Sequence, residues 1–496
     1  MPAPRPISKS RYLNGLQCPK LLWNQIHARE RIPPPDPAQQ HIFDTGHEVG
    51  DLAKKLYPGG IEVAMNFADP AETARETAAL MARPREERVP IFEASFLVEG
   101  RYCRVDVLVP VEDGRWNLVE VKSSTRVRDV NVNDVAFQCD TLTRAGVALG
   151  QLFIMHVNTG YVRGEAFEVR PFFHLEEVTT RVKPLLEYVP RAVERMHATL
   201  AGSEPDVPIG PRCHTPYDCP LVPLCWADLP PGNVTELYRG GRRAFGFLDE
   251  GLFKIADLPD DQLSPTQRIQ ARTLRTGEPH VEAAALRAWL DALAYPLHHL
   301  DFETMNPAVP PLAGLRPYQR LPFQFSLHIQ DAPGAPARHV DFLATAPADP
   351  RGALVAALHA IGDEGHILAW NMGFEKGVLD DLAEAFPDEA EWLAGLADRL
   401  VDLIDPFRHF WFHHPDQKGS CSLKAVLPAL TGKDYAALEI ADGHHAARAY
   451  VEAVFGQADE AAREQVFADL RRYCALDTLA MVEILSELEK VAPGGA

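Results

Sequence analysis

Apolar positions recur at two different spacings along the chain. Residues 11–57 carry them at helical spacing, interrupted at Ile32-Pro33-Pro34-Pro35, where proline cannot continue a helix. Residues 91–123 alternate apolar with polar, which predicts strands. Helical spacing returns over 131–146 and 176–200, and prolines and cysteines then dominate to about Pro231, predicting a loop-rich segment. Residues 236–292 are helical in pattern and read as a connector. From Pro296 the pattern becomes β-rich at 297–304, 323–329 and 339–343, and helices then alternate with short apolar strands at 366–370 and 399–404. A long helix is expected from about Glu460 to Lys490. The alternation predicts an α/β protein with domains at 1–235 and 291–496, joined by a connector at 236–290.

Length and composition narrow this picture. At roughly 150 residues per domain, 496 residues fit two to four domains. Apolar residues at 46% and charged residues at 24% are a globular mixture. No uninterrupted apolar run approaches the roughly 18 residues of a membrane span, so no membrane partner is expected. The opening Met-Pro-Ala-Pro-Arg-Pro lacks the apolar core of a secretory signal, so the expected location is cytoplasmic. The net charge of −20 argues against a general nucleic-acid coat. Residues 291–496 hold 15 basic and 31 acidic side chains and so carry −16 of it. That acidity serves solubility, and part of it suits a metal site.

Around Glu112-Asp113-Gly114 two alternating runs face each other. A three-residue hairpin loop ending in glycine pairs residues whose numbers sum to 226, which sets Asp106 opposite Glu120. Lys122 shares the face of Glu120. Two opposed carboxylates need a cation. Mg2+ or Mn2+ would polarise a phosphate and lower the pKa of a water, with Lys122 beside the developing charge. An exposed hairpin face with local ion pairs is the alternative reading. This segment resembles the RecB-like branch of the PD-(D/E)xK nucleases, which includes CRISPR-associated exonucleases. The resemblance implies a restriction-endonuclease-like fold with Asp106, Glu120 and Lys122 as catalytic residues. It further implies His47 as an additional metal ligand and Gln138 as a substrate-binding residue. Leu142 stands where that branch has tyrosine.

Eight cysteines are too few for a disulfide scaffold. Cys213, Cys219 and Cys225 recur every six residues among prolines, and Cys18 lies far upstream. Four thiolates suit either an iron–sulfur cluster or zinc. The same resemblance implies a 4Fe-4S cluster on Cys18, Cys213, Cys219 and Cys225. Cys103, Cys139, Cys421 and Cys474 read as buried small apolar residues.

In the C-terminal part, Asp301 and Glu303 share one face at the end of an apolar strand. Trp370-Asn371-Met372-Gly373-Phe374-Glu375 leads from a buried strand into a helix. Tyr473 and Asp477 stand four apart on one helix face, a spacing that a solvated face shows as well. Together these carboxylates could bind two divalent metals for in-line phosphodiester cleavage. In order and separation they resemble the DnaQ-like 3′–5′ exonucleases of the RNase H-like fold. The resemblance implies Asp301, Glu303, Glu375 and Asp477 as metal ligands, Tyr473 as the residue that orients water, and Asn371 as substrate-binding. Glu375 stands where aspartate is usual. The pairing of the two nuclease types resembles a bacterial family catalogued as a domain of unknown function. The resulting expectation is a two-site, metal-dependent nuclease acting on single-stranded or end-containing DNA in repair or defence. The rival is a nucleic-acid-binding scaffold with a structural cluster and one or both sites inactive.

Overall fold

The computed structural model describes residues 5–66, 68–440 and 442–493. It is a mixed α/β protein of two compact units. The first holds the chain up to Asp228 together with Pro307–Tyr318, and the second holds Leu229–Asn306 and Gln319 onward. Among the described residues, no helix is long and apolar enough to cross a membrane.

The first unit is built on seven strands: β1 (Ile7–Ser8), β2 (Ile61–Glu62), β3 (Ile91–Val98), β4 (Arg101–Pro110), β5 (Trp116–Lys122), β6 (Leu149–Val157) and β7 (Phe173–Glu177). The sheet order is β2-β3-β4-β5-β6-β7, with β1 pairing alongside β4. The β4–β5 hairpin has the expected register: Val107 faces Val119 and Leu108 faces Leu118. Gly114 has φ +88° in its turn, a conformation that glycine adopts without a Cβ clash. β5 and β6 run parallel, so their connection must cross over, and the helix Asp129–Arg144 does so.

Alternation along the strands gives the sheet two apolar faces. Leu108, Leu118 and Ile154 pack with Val135 and Phe137 of the crossover helix and Val193 of the helix Tyr188–Ala201. Val107, Val119 and Met155 pack with Val49 and Ala53 of the helix Pro37–Lys54. The proline run ends the preceding helical pattern as expected. Asp36 then caps the new helix by accepting from the Gln39 amide. Ala308 and Tyr318 of the 307–318 segment belong to this second cluster.

The second unit contains β8 (His280–Val281), β9 (Leu297–Met305), β10 (Leu321–Gln330), β11 (Arg338–Leu343), β12 (Ile367–Ala369), β13 (Leu400–Asp402) and β14 (Phe412–His413). Five of these form a mixed sheet, β11-β10-β9-β12-β13. β9, β10 and β11 are antiparallel, while β12 runs parallel to β9 and β13 parallel to β12. β10 is buried throughout, as a strand covered on both faces must be. Leu300 and Phe302 of β9 join the core under the helices Arg351–Leu358, Gly373–Ala385 and Ala390–Asp398. The intervening Asp301 and Glu303 therefore point to the opposite face. The helix Glu460–Val491 packs near them, its backbone carbonyl at Leu470 accepting from Gln324 of β10. The segment read as a connector lies within this unit. It has a small core of its own around Val234, Phe247, Ile255 and Ala271.

Candidate functional site

In the first unit, the β4–β5 ladder stops at Val107 and Val119, and a side chain takes over the next bond. Asp106 Oδ2 accepts from the Val121 amide at 2.7 Å. Glu120 is fully buried beside it. Lys122 Nζ bridges Glu120 Oε1 at 2.5 Å and Asp134 Oδ2 at 2.8 Å. Gln138, one helical turn after Asp134, donates to Glu120 Oε2 at 2.7 Å and Asp134 Oδ1 at 3.0 Å. A second lysine completes the cluster. Lys9 Nζ lies 2.8 Å from Glu120 Oε1 and 3.6 Å from Asp106 Oδ1.

Burial sets the electrostatics. Desolvation pushes Asp106 up to about 7, helped by the Glu120 charge and opposed by both lysines. Burial alone would raise Glu120, but Lys122 and Lys9 hold it well below the usual carboxylate range. Burial would lower Lys9 and Lys122, yet the surrounding carboxylates keep both above the ordinary lysine value.

Gln138 and His47 were also expected at this site. Gln138 is completely buried; its Nε2 donates to Glu120 and Asp134, which orients both carboxylates, and its Oε1 has no hydrogen-bond partner. His47 is exposed on the helix Pro37–Lys54, which covers the Val107/Val119 face. Asp106 and Glu120 point to the other face, and the three residues do not gather within 4.8 Å. Lys9 and Asp134 were absent from the sequence reading. Only Asp134 left a signal, its position one turn before Gln138.

The four cysteines named from the sequence line one cavity in this unit, with Ile209, Leu221 and Val222 around them. Burial raises Cys219 to about 11, and the neighbouring Cys18, Cys213 and Cys225 add to the rise. Among the described residues the sulfurs do not form a trio within 4.8 Å. Tetrahedral zinc, at about 2.3 Å per bond, would bring them to about 3.8 Å from one another.

In the second unit, Asp301, Glu303 and Cys474 place ligand atoms within 4.8 Å of one another. Asp477 is buried one turn beyond Tyr473 on the long helix, so that pair is not a solvated face. Tyr435 donates to Asp477 Oδ1 at 2.6 Å, and Tyr473 also hydrogen-bonds that carboxylate. Lys424 Nζ stands over both tyrosine rings, 5.5 and 5.4 Å from their centroids. Glu375 is buried in the first turn of the helix Gly373–Ala385, and its Oε2 has no hydrogen-bond partner. Burial raises Glu375 to about 8. Burial and then the Asp477 charge raise Glu303 to about 8. Asp301 is raised well above the carboxylate range by burial, Asp477, Glu303 and Glu375. Asp477 rises only to about 6, because its tyrosine bonds and Lys424 oppose burial. A buried Glu375 oxygen left without a partner, near enough for its charge to act on Asp301 and Glu303, adds to a donor set that fits divalent cations.

Asn371 is exposed between β12 and this helix, with φ +69°. Its backbone N–H donates to Asp402 Oδ1 at 2.8 Å, and Arg408 bridges Asp402 Oδ2 and Asn371 Oδ1 at 3.0 and 2.6 Å. Such strain persists where surrounding bonds impose it. Tyr435, Cys474, Asp402 and Arg408 were not assigned to the site from sequence. Lys424 also belongs beside it.

Residues 298–422 match a family described as Domain of unknown function (DUF2779), about a quarter of the chain. That span takes in Asp301, Glu303, Asn371 and Glu375 and ends before Tyr473 and Asp477. Comparison with curated proteins gives no match.

Proposed function

We propose that the protein is a metal-dependent nuclease with two separate sites, one in each unit, acting on DNA. The observation that carries this reading is the meeting of Asp301, Glu303 and Cys474 ligand atoms within 4.8 Å, with the charges of Asp477 and Glu375 acting on the same two carboxylates. The mixed five-stranded sheet supports the RNase H-like reading of this unit, and the Asp106–Glu120–Lys122 constellation supports the PD-(D/E)xK reading of the other.

Divalent cations bound there would supply an activated water and neutralise charge on the scissile phosphate. The chain's own residues do the rest. In the second unit Tyr473, held against Asp477, orients water from the helix. Lys424 sets a positive charge beside the acids, and Arg408 fixes Asn371 where a nucleotide can meet it. In the first unit Asp134 and Glu120 hold the Lys122 ammonium at one place, ready to balance charge developing on phosphate. Cys18, Cys213, Cys219 and Cys225, which line one cavity, would hold a 4Fe-4S cluster, with zinc the chemical alternative for four thiolates. The group would tie the amino-terminal helices to the 213–225 loop.

Anaerobically purified protein should degrade end-labelled single-stranded DNA only with Mg2+ or Mn2+. Lys122→Ala should abolish one component of cleavage and Asp301→Ala the other. Loss of all activity on every substrate from either single change would contradict separate sites. The scaffold reading draws support from Lys9, whose ammonium stands between Asp106 and Glu120. Metal-independent binding without cleavage in the same assay would favour it.

A further inference from the structure

Lys9 is at an unfavourable address. It is the first residue of the helix Lys9–Gln17, whose N-cap Ser8 accepts from the Arg11 amide. The amino end of a helix carries partial positive charge, so a lysine there is repelled. Pairing of β1 with β4 delivers the residue to the site despite that cost. The ammonium lies 2.8 and 3.1 Å from the two Glu120 oxygens and 3.6 Å from Asp106 Oδ1. These are the carboxylates that the hairpin register opposes.

Charge counting shows what the lysine does there. When ionised, Asp106, Glu120 and Asp134 supply three negative charges, and Lys122 and Lys9 return two positive ones. Lys122 is already held by Glu120 and Asp134. Without Lys9, Asp106 and Glu120 would face each other with no positive charge between them. Exposure is uneven: the Lys9 and Asp106 side chains are 27% and 25% exposed, and Glu120 is 1% exposed. The seat between the carboxylates therefore opens to solvent on the Lys9 side.

We propose that Lys9 is a built-in, displaceable cation that competes with a divalent metal ion for the seat between Asp106 and Glu120. The proposal rests on reading those two carboxylates as cation ligands. The lysine keeps the site assembled while empty and must swing out when metal enters. Its long, flexible stem and partial exposure permit that movement.

The test is Mn2+ titration of the full-length chain by calorimetry, comparing wild type, Lys9→Met, Glu120→Gln and the double variant. Removing the competing charge should tighten one Mn2+ site by at least about tenfold. The gain should vanish when Glu120→Gln is added. A lysine that merely braces the fold would give the opposite sign, since its loss would loosen the ligands. Unchanged or weaker Mn2+ binding in Lys9→Met therefore overturns the proposal. If no variant or wild type shows a Glu120-dependent Mn2+ site, the cation-site reading of this unit falls with it.

A measurement on wild type avoids dependence on the variant's folding. The rate at which an amine-acylating reagent modifies Lys9, followed by peptide mass spectrometry, should rise several-fold when Mn2+ is added. A rate that Mn2+ leaves unchanged or lowers would overturn displacement.

Discussion

Ser326 Oγ and Thr478 Oγ1 lie 2.7 Å apart, and this contact sets the long C-terminal helix against β10. His328 Nδ1 adds a second bond to Thr478 at 2.8 Å. Ser326 is the register partner of Asp301, and Thr478 follows Asp477, so one hydroxyl pair aligns two of the four acids. Thr478→Val keeps the shape and removes the hydroxyl. It should cost about 1–3 kcal/mol, the penalty for leaving buried partners unsatisfied, read by denaturant unfolding. An unchanged midpoint would mean that packing alone aligns the helix.

Tyr435→Phe tests the second contact to Asp477. The ring stays and the 2.6 Å bond goes. Burial then acts on Asp477 with less opposition, so its carboxyl should hold its proton to higher pH. Cleavage by the second unit should fall about tenfold near neutral pH, in line with a charge-assisted bond. Cleavage by the first unit should not change. Equal losses in both would point to misfolding.

Stability should depend on pH in a way that metal reverses. Burial and mutual repulsion raise Glu303, and burial raises Glu375, both to about 8; Asp301 is raised as well. The native protein therefore keeps protons that the unfolded chain sheds near its ordinary pKa of about 4. Between those values the native state binds more protons, so unfolding free energy falls as pH rises. Buried histidines set an opposing limb. Burial lowers His299 to about 3 and His328 and His413 to about 4, so their contribution is lost as pH falls below about 6.5. Metal-free protein should melt lower at about pH 8 than at about pH 6, and saturating Mn2+ should remove most of that difference. A melting temperature flat across this range without metal would contradict a closed acid cluster.

The thiol cavity gives a chemical prediction. Anaerobically purified protein should contain iron and sulfide and absorb near 400 nm, a rough expectation for thiolate-bound clusters. Cys18→Ser should lose that absorbance and lower the melting temperature, because it opens the longest loop the group would close. Stoichiometric zinc without iron would replace the cluster by zinc. Unchanged metal content in Cys18→Ser would remove Cys18 from the ligand set.

Local rules carried part of this architecture into view. The hairpin register follows from a three-residue loop and a period of two, so Asp106 and Glu120 could be set opposite each other from numbering alone. The Glu375 position in the first turn of a helix follows from the switch of period after β12. Lys9, Asp134 and Tyr435 reach their acids through the packing of whole elements, and no local period encodes that. The same limit explains His47 and Gln138. Helical spacing identified both helices, but the sheet face that each covers and the solvent each keeps depend on tertiary packing.

Residues 307–318 belong to the first unit although β9 and β10, on either side of them, belong to the second. This has a consequence for synthesis on the ribosome. A chain released from the exit tunnel only as far as Asp228 lacks Ala308 and Tyr318, two members of the cluster behind β5, and the bond from the Tyr318 hydroxyl to the Ser123 carbonyl. The amino-terminal fold can be finished only after the first strand of its neighbour's main sheet has been translated. Domains usually mature in order as they emerge. Here the two must overlap in time, and a gene cut at residue 228 would encode an amino-terminal product with a piece of its core missing.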